Sequence, residues 1–359
     1  MAVHSPTNVL VDVSIRVILD GQAASGAYIA SPNFSQYGFA WLRDGSYCAL
    51  AMDSAGERES AASFHQWVAQ VITREEESIK RIVANLTTGV TPSAESMLPT
   101  RYTLDGAREP VHDENWPNFQ LDGYGTWLFA VGEHLTEAPA EPLARAVGLA
   151  ADYLAAAWSL PCFDYWEEFG DRVHTSTLAA VAAGLRAAAA MLDREELSET
   201  ADAVMATIAA RCVVEGAFVK GPDDARVDAS LISLATPFRL IAPSDPIMMA
   251  TIARIRAELL SETGGVRRYV GDTYYGGSPW MLLTAWLGWH LRAAGDEEGY
   301  AAARRWVENH ADANGQMPEQ IVDEPQDASF VEPWVRRWGT VADPLLWSHA
   351  KYLLMVNAS

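Results

Sequence analysis

Along nearly the whole chain, apolar residues recur at helical spacing, and the two-residue alternation of strands is almost absent. A chain patterned this way can bury its core only by packing helix on helix. Helices are expected over 9–19, 46–54, 57–86 (one long helix or a bent pair), 124–135, 141–159, 176–192, 195–214, 227–235, 246–260, 278–294, 297–310 and 344–356. Most of these about twelve helices follow one another as hairpins. The fold class is therefore all-α, and helical hairpins closing into a double ring, an (α/α)6 barrel, would gather their connecting loops at one end. Periodicity alone fits an α-solenoid or an irregular bundle almost as well, although no repeat of solenoid length is visible.

The 359 residues are many for one ordinary domain, yet ring-like architectures reach this size as a single unit. Acidic residues outnumber basic ones by 47 to 26, a formal charge of −21. That charge opposes nucleic acid and anionic membrane partners, and it suits an uncharged small molecule. The three cysteines, Cys48, Cys162 and Cys212, have no metal-ligand spacing, so neither a disulfide framework nor a metal is expected. No signal-peptide pattern and no apolar run of membrane-spanning length stands out, so a cytoplasmic protein without a membrane partner is expected.

The residues with chemistry to offer fall in the loops. Phe163 to Gly170 places Glu167 and Glu168 among Tyr165, Trp166 and Phe169. Aromatic walls exclude water and raise a carboxyl pKa, and a second carboxylate pushes the same way, so the two titrate as a pair. An acid held protonated beside rings that stack on a sugar suits glycoside hydrolysis. An acidic helix start explains the same residues without chemistry. Arg43 and Asp44 follow Trp41 as planar partners for adjacent hydroxyls, or as a helix cap with its ion pair. Trp116, Gln120 and Asp122 precede another helix and allow the same two readings. The 13 tryptophans divide between core and stacking platforms.

Taken in order, Trp41-Leu42-Arg43-Asp44, the stretch from Trp116 to Gly123, Asp164-Tyr165-Trp166-Glu167-Glu168 and Gly315-Gln316-Met317-Pro318-Glu319-Gln320 resemble successive motifs of family 15 glycoside hydrolases, the glucoamylase family. Arg268-Tyr269, the segment from Asp272 to Tyr275, Pro279-Trp280 and the segment from Trp347 to Ala350 fit the same order. The resemblance implies an (α/α)6 barrel that removes glucose from non-reducing ends of α-glucosides with inversion, needing no cofactor. It implies Glu167 as general acid and Glu319 as general base, with Glu324 and Glu332 as rival bases nearby. Glu168, Arg43, Asp44 and Arg268 would hold sugar hydroxyls, with Gln120 and Asp122 beside them. Trp41, Trp116, Trp166 and Trp280 would line the pocket, and Tyr37 and Tyr274 would attend the nucleophilic water. Inversion needs room for water between the two carboxyl groups, about 6.5–9.5 Å. No N-terminal β-sandwich and no starch-binding module is expected, so short α-1,4- or α-1,6-linked gluco-oligosaccharides are favoured over granular starch. Trehalose hydrolysis on the same fold is the alternative activity, and a non-catalytic sugar-binding protein is the alternative of another class. The oligomeric state is not legible.

Overall fold

The computed structural model describes residues 6–109 and 119–358. Its helices are α1 (Pro6–Asp20), α2 (Leu42–Ser54), α3 (Arg58–Arg74), α4 (Glu76–Thr87), α5 (Asp122–His134), α6 (Leu143–Ala157), α7 (Thr175–Leu192), α8 (Glu195–Arg211), α9 (Pro246–Leu259), α10 (Met281–Ala293), α11 (Glu297–His310), α12 (Val331–Trp338) and α13 (Leu346–Asn357). A 3-10 helix spans Ala229–Leu234. Going round the inner ring, α2 packs on α5, α5 on α7, α7 on the 3-10 helix, that helix on α10, α10 on α13, and α13 again on α2. Closure excludes a solenoid. The outer layer of α1, α3, α6, α8, α9 and α11 covers this ring, with α4 added against α6. The architecture is the (α/α)6 barrel.

Composition explains which helices lie inside. Every residue of the 3-10 helix, the whole stretch from Asp122 to Val131 of α5 and the first eleven residues of α7 are buried, as expected for helices covered on all sides. The outer α3 and α11 keep an exposed polar face. The inner α5 and α7 approach closely because both carry glycine at the crossing. A Cβ on Gly125 would stand 2.3 Å from the Ala180 carbonyl oxygen, and one on Gly184 would stand 2.5 Å from that of Gly125.

Several expectations change in detail. The segment 57–86 is two helices that break at Glu75. The segment 227–235 holds only the 3-10 helix; Asp228 caps it by accepting from the Ser230 amide, and the helix closes the ring in place of a regular one. The helix expected to 214 stops at Arg211, and Val213–Val214 (β3) pairs antiparallel with Ala217–Phe218 (β4). An earlier pair joins Ala40–Trp41 (β1) to Arg101–Tyr102 (β2). Helix α7, with a mean hydropathy of 1.4 over 18 residues, is long and apolar enough to cross a membrane, contrary to the expectation from sequence. The barrel covers it instead, 72% of this 18-residue window being buried.

Candidate active site

The N-terminal ends of the inner helices converge on one cavity of about 960 Å3. Trp41, Arg43 and Asp44 reach it from the start of α2, Tyr165 to Glu168 from the loop before α7, Arg268, Tyr274 and Trp280 from the segment before α10, Glu319 from the segment between α11 and α12, and Trp347 from the first turn of α13. Helix N-termini carry partial positive charge, so this end of the barrel suits carboxylates and electronegative ligands.

Arg43 is the hub on the α2 side. One guanidinium nitrogen donates to Gln120 Oε1 at 2.9 Å and lies 3.1 Å from Asp122 Oδ2. Its Nε lies 3.3 Å from Asp44 Oδ2, and NH2 lies 3.9 Å from Glu167 Oε1. The guanidinium also stacks over Tyr165 and Trp347, at 5.3 and 5.0 Å from their ring centroids. Gln120 and Asp122, expected to touch substrate, are buried outside the cavity lining and hold Arg43 from behind. Asp44 is on the lining, and burial raises its pKa to about 6.

The loop carrying Glu167 is tied down by buried charge. The Asp164 carboxylate accepts from the amides of Trp166 and Glu168, each at 2.9 Å. Lys220, 3% exposed, sits 2.7 Å from Asp164 and 2.5 Å from Asp228, and the Trp166 indole donates to Asp228 at 3.0 Å. This network holds Glu167 at φ 64° and Phe169 at φ 53°, left-handed conformations that cost about 1–3 kcal/mol each in a non-glycine residue. So held, the Glu167 carboxylate accepts from Trp41 Nε1. Burial raises its pKa, while Arg43, Arg101 and the Trp41 donor pull it back. Arg101 itself pairs with Glu109, donates to the Gln36 carbonyl, and stacks over Trp41 with its guanidinium 4.7 Å from the ring centroid.

Glu319 is placed by backbone pairing. Its amide donates to Ala342 and its carbonyl accepts from Met281, while Gln320 bridges to Trp280. The side chain is buried, and Tyr37 donates to Oε1 at 2.8 Å with Tyr274 bonded to Tyr37 at 3.1 Å. Burial pushes the Glu319 carboxyl up to about 7, against the lowering by the Tyr37 donor and Arg268. Its Oε2 has no hydrogen-bond partner among the described residues. The rivals are elsewhere: Glu324 is spent on the amide and hydroxyl of Thr263, and Glu332 pairs with Arg336 on the exposed side of α12.

The two carboxyl groups are thus separated by an aromatic pair, since the rings of Tyr37 and Trp41 meet edge-on at 5.5 Å and each donates to one of them. Arg268 closes the remaining side, bidentate on Asp272, 3.5 Å from Glu168, and beneath Trp166 and Trp280. Glu168 also accepts from the Tyr269 hydroxyl. Trp116 lies outside the described residues.

Several members of this constellation escaped sequence reasoning. Lys220 and Asp228 had no local signal, because their meaning depends on Asp164 far away in sequence. Trp334 and Trp338 on α12 line the rim and pack against Tyr274, with ring centroids 5.1 and 6.2 Å away. The spacing of Val331, Trp334, Val335 and Trp338 is a helical stripe that could have revealed α12.

The chain is similar to known proteins of one family. The chain is 41% identical over 350 residues to the isomaltose glucohydrolase of Kribbella flavida, covering 95% of this chain and 90% of that protein. A glycosidase variant solved in complex with glucose superposes with a TM-score of 0.93 at 39% identity, covering 98% of this chain and 96% of the other. A bacterial glucoamylase complexed with acarbose shares the fold, with a TM-score of 0.74 at 21% identity over 97% of this chain and 55% of that one. The family described as "Glycosyl hydrolases family 15" matches residues 8–357, and the chain belongs to that family.

Proposed function

We propose that this protein is an exo-acting, inverting α-glucosidase that releases β-glucose from the non-reducing end of short α-gluco-oligosaccharides, with α-1,6-linked isomaltose as the leading substrate. The observation that carries the reading is the pair of raised-pKa carboxyls, Glu167 and Glu319, facing one cavity from separate loops with Tyr37 and Trp41 between them. A cavity of about 960 Å3 is the size of a small-molecule site. The isomaltose linkage is taken from the 41% identical relative.

In this reading Arg43, Asp44, Glu168 and Arg268 hold the hydroxyls of the terminal glucose, while Trp166 and Trp280 pack on its apolar edges. Gln120 and Asp122 fix the orientation of Arg43. Glu167, whose side chain is 26% exposed toward the cavity, gives its proton to the departing glycosidic oxygen. A sugar seated there strips its remaining water and raises its pKa further. A water on the opposite face attacks C1, and its proton passes to ionised Glu319, whose Oε2 has no hydrogen-bond partner among the described residues. The Tyr37 hydroxyl stabilises the carboxylate until then, and Tyr274 orients Tyr37. Each carboxyl group returns to its starting state by exchange with solvent.

The test is glucose release from isomaltose, maltose, their trimers and trehalose, followed by coupled assay. Highest kcat/KM on isomaltose is expected. Turnover of trehalose alone would replace the reading with a trehalase, and release from none of them would leave a sugar-binding protein.

A further inference from the structure

The far ends of two inner helices hold a second group of ligating side chains that the reaction does not use. Asp53 lies in the last turn of α2, His134 ends α5, and His65 projects from the middle of the outer α3. The same α2 and α5 carry Arg43 and Asp122 in their first turns. At about 1.5 Å per residue, roughly 15 Å of helix separates this group from the sugar cavity.

Three observations set it apart from an ordinary ion pair. One ligand atom from each residue lies within 4.8 Å of the other two. His65 is 2% exposed, yet neither ring nitrogen has a hydrogen-bond partner among the described residues. A buried imidazole left so loses about 1–3 kcal/mol for each polar group deprived of water, which a bound ligand would restore. Third, the ring faces another imidazole, the centroids of His65 and His134 being 5.0 Å apart, and Asp53 accepts from or pairs with His134 Nδ1 at 2.9 Å.

We propose that Asp53, His65 and His134 form a structural zinc site that pins α2, α3 and α5 together at the end of the barrel opposite the cavity. Two imidazoles and one carboxylate suit zinc or a neighbouring borderline cation better than calcium or magnesium, which take oxygen ligands. Tetrahedral zinc with ligands at about 2.0–2.2 Å holds its ligand atoms roughly 3.3 Å apart, so side-chain adjustments of about 1 Å close the site, with water as the fourth ligand. Arg58 lies 3.6 Å from Asp53 through one nitrogen and donates to the His134 carbonyl at 2.7 Å through the other, so the metal can take the carboxylate while Arg58 keeps its bond to that carbonyl. The partly exposed Asp53 and His134 give the ion its way in.

The experiment uses the full chain, stripped with EDTA, given zinc chloride, and freed of excess by gel filtration. One equivalent of zinc by mass spectrometry is expected, with a thermal midpoint ~3 °C above the stripped protein and reversed by EDTA. Cobalt in place of zinc should give the visible absorption of a four-coordinate ion. Asp53→Asn and His134→Gln, both at the partly exposed side, should fold, bind no zinc and lose the zinc-dependent rise, and His65→Gln should do the same if it folds. Substoichiometric zinc in the unaltered protein, or a full equivalent retained by both Asp53→Asn and His134→Gln, would overturn the assignment.

Discussion

The segments bearing Glu167 and Glu319 reach the same cavity by opposite means. Glu319 sits in an extended segment whose backbone is paired on both sides, to Ala342, Met281 and Trp280, so main-chain hydrogen bonds alone fix where its side chain emerges. Glu167 sits in an irregular turn in the left-handed region, and side chains hold it there: Lys220 between Asp164 and Asp228, with Trp166 bonded to Asp228. Their surroundings differ as well. Glu319 is sealed, with a tyrosine donor on one oxygen and none on the other, and its pKa is lifted to about 7. Glu167 opens to the cavity and feels Arg43 and Arg101. A carboxyl placed by backbone pairing keeps its position without side-chain support, whereas one placed by side chains depends on a remote charge network.

Electrostatics of the free protein alone would favour Glu319 as the protonated partner. The geometry favours the reverse: Glu167 gains its final burial from the sugar, and Glu319 has both a donor for its anion and a second oxygen without a hydrogen-bond partner among the described residues. Mutation separates the two roles. The largest expected effect is on turnover: Glu167→Gln and Glu319→Gln should each lower kcat by about 10²–10⁴-fold, while calorimetry still detects glucose binding. Retained activity in either variant breaks the pairing.

Next in size is Lys220→Met, which leaves Asp164 and Asp228 buried without their cation. Breaking such a pair costs about 3–5 kcal/mol, so thermal unfolding should shift well down. Turnover should fall with it as the Glu167 turn relaxes. An unchanged midpoint with unchanged kcat would show that the network does not hold the turn.

The pH profile sharpens the contrast further. Because Glu319 must be ionised to act as base, kcat/KM should decline as pH falls through about 7. Tyr37→Phe removes the donor that lowers the Glu319 pKa, so this limb should move to higher pH. A limb moved to lower pH would contradict the Tyr37–Glu319 pairing. The smallest effect is expected at the rim, where Trp334→Ala removes a ring packed on Tyr274. A loss of about 1 kcal/mol should raise KM ~5-fold at constant kcat, measured by steady-state kinetics.

Much of this contrast was legible in the sequence on one side only. Helical periodicity led to an all-helical fold, and the motifs resembling family 15 led to the ring and to Glu167, Glu319, Arg43, Arg268, Trp41 and Trp280, all of which reach one cavity. Both members of the carboxyl pair lie in short local motifs, and so do Trp280 and Tyr274 beside Glu319. The remote anchors of Glu167 do not, since Lys220 follows a hairpin of two-residue strands and Asp228 caps a 3-10 helix, neither of which carries helical periodicity. The same tertiary dependence moved Gln120 and Asp122 from the cavity to the back of Arg43, and brought Asp53, His65 and His134 together. Residues in proximity only after ring closure leave no spacing to read.

The central claim is that Glu167 and Glu319 act from opposite faces of the sugar with a water between the second carboxylate and C1. The most direct measurement is proton NMR of the first glucose released from isomaltose, recorded before mutarotation. β-Glucose as the initial anomer is the predicted result. α-Glucose would mean that the configuration is retained, and would contradict direct attack by a water activated at Glu319.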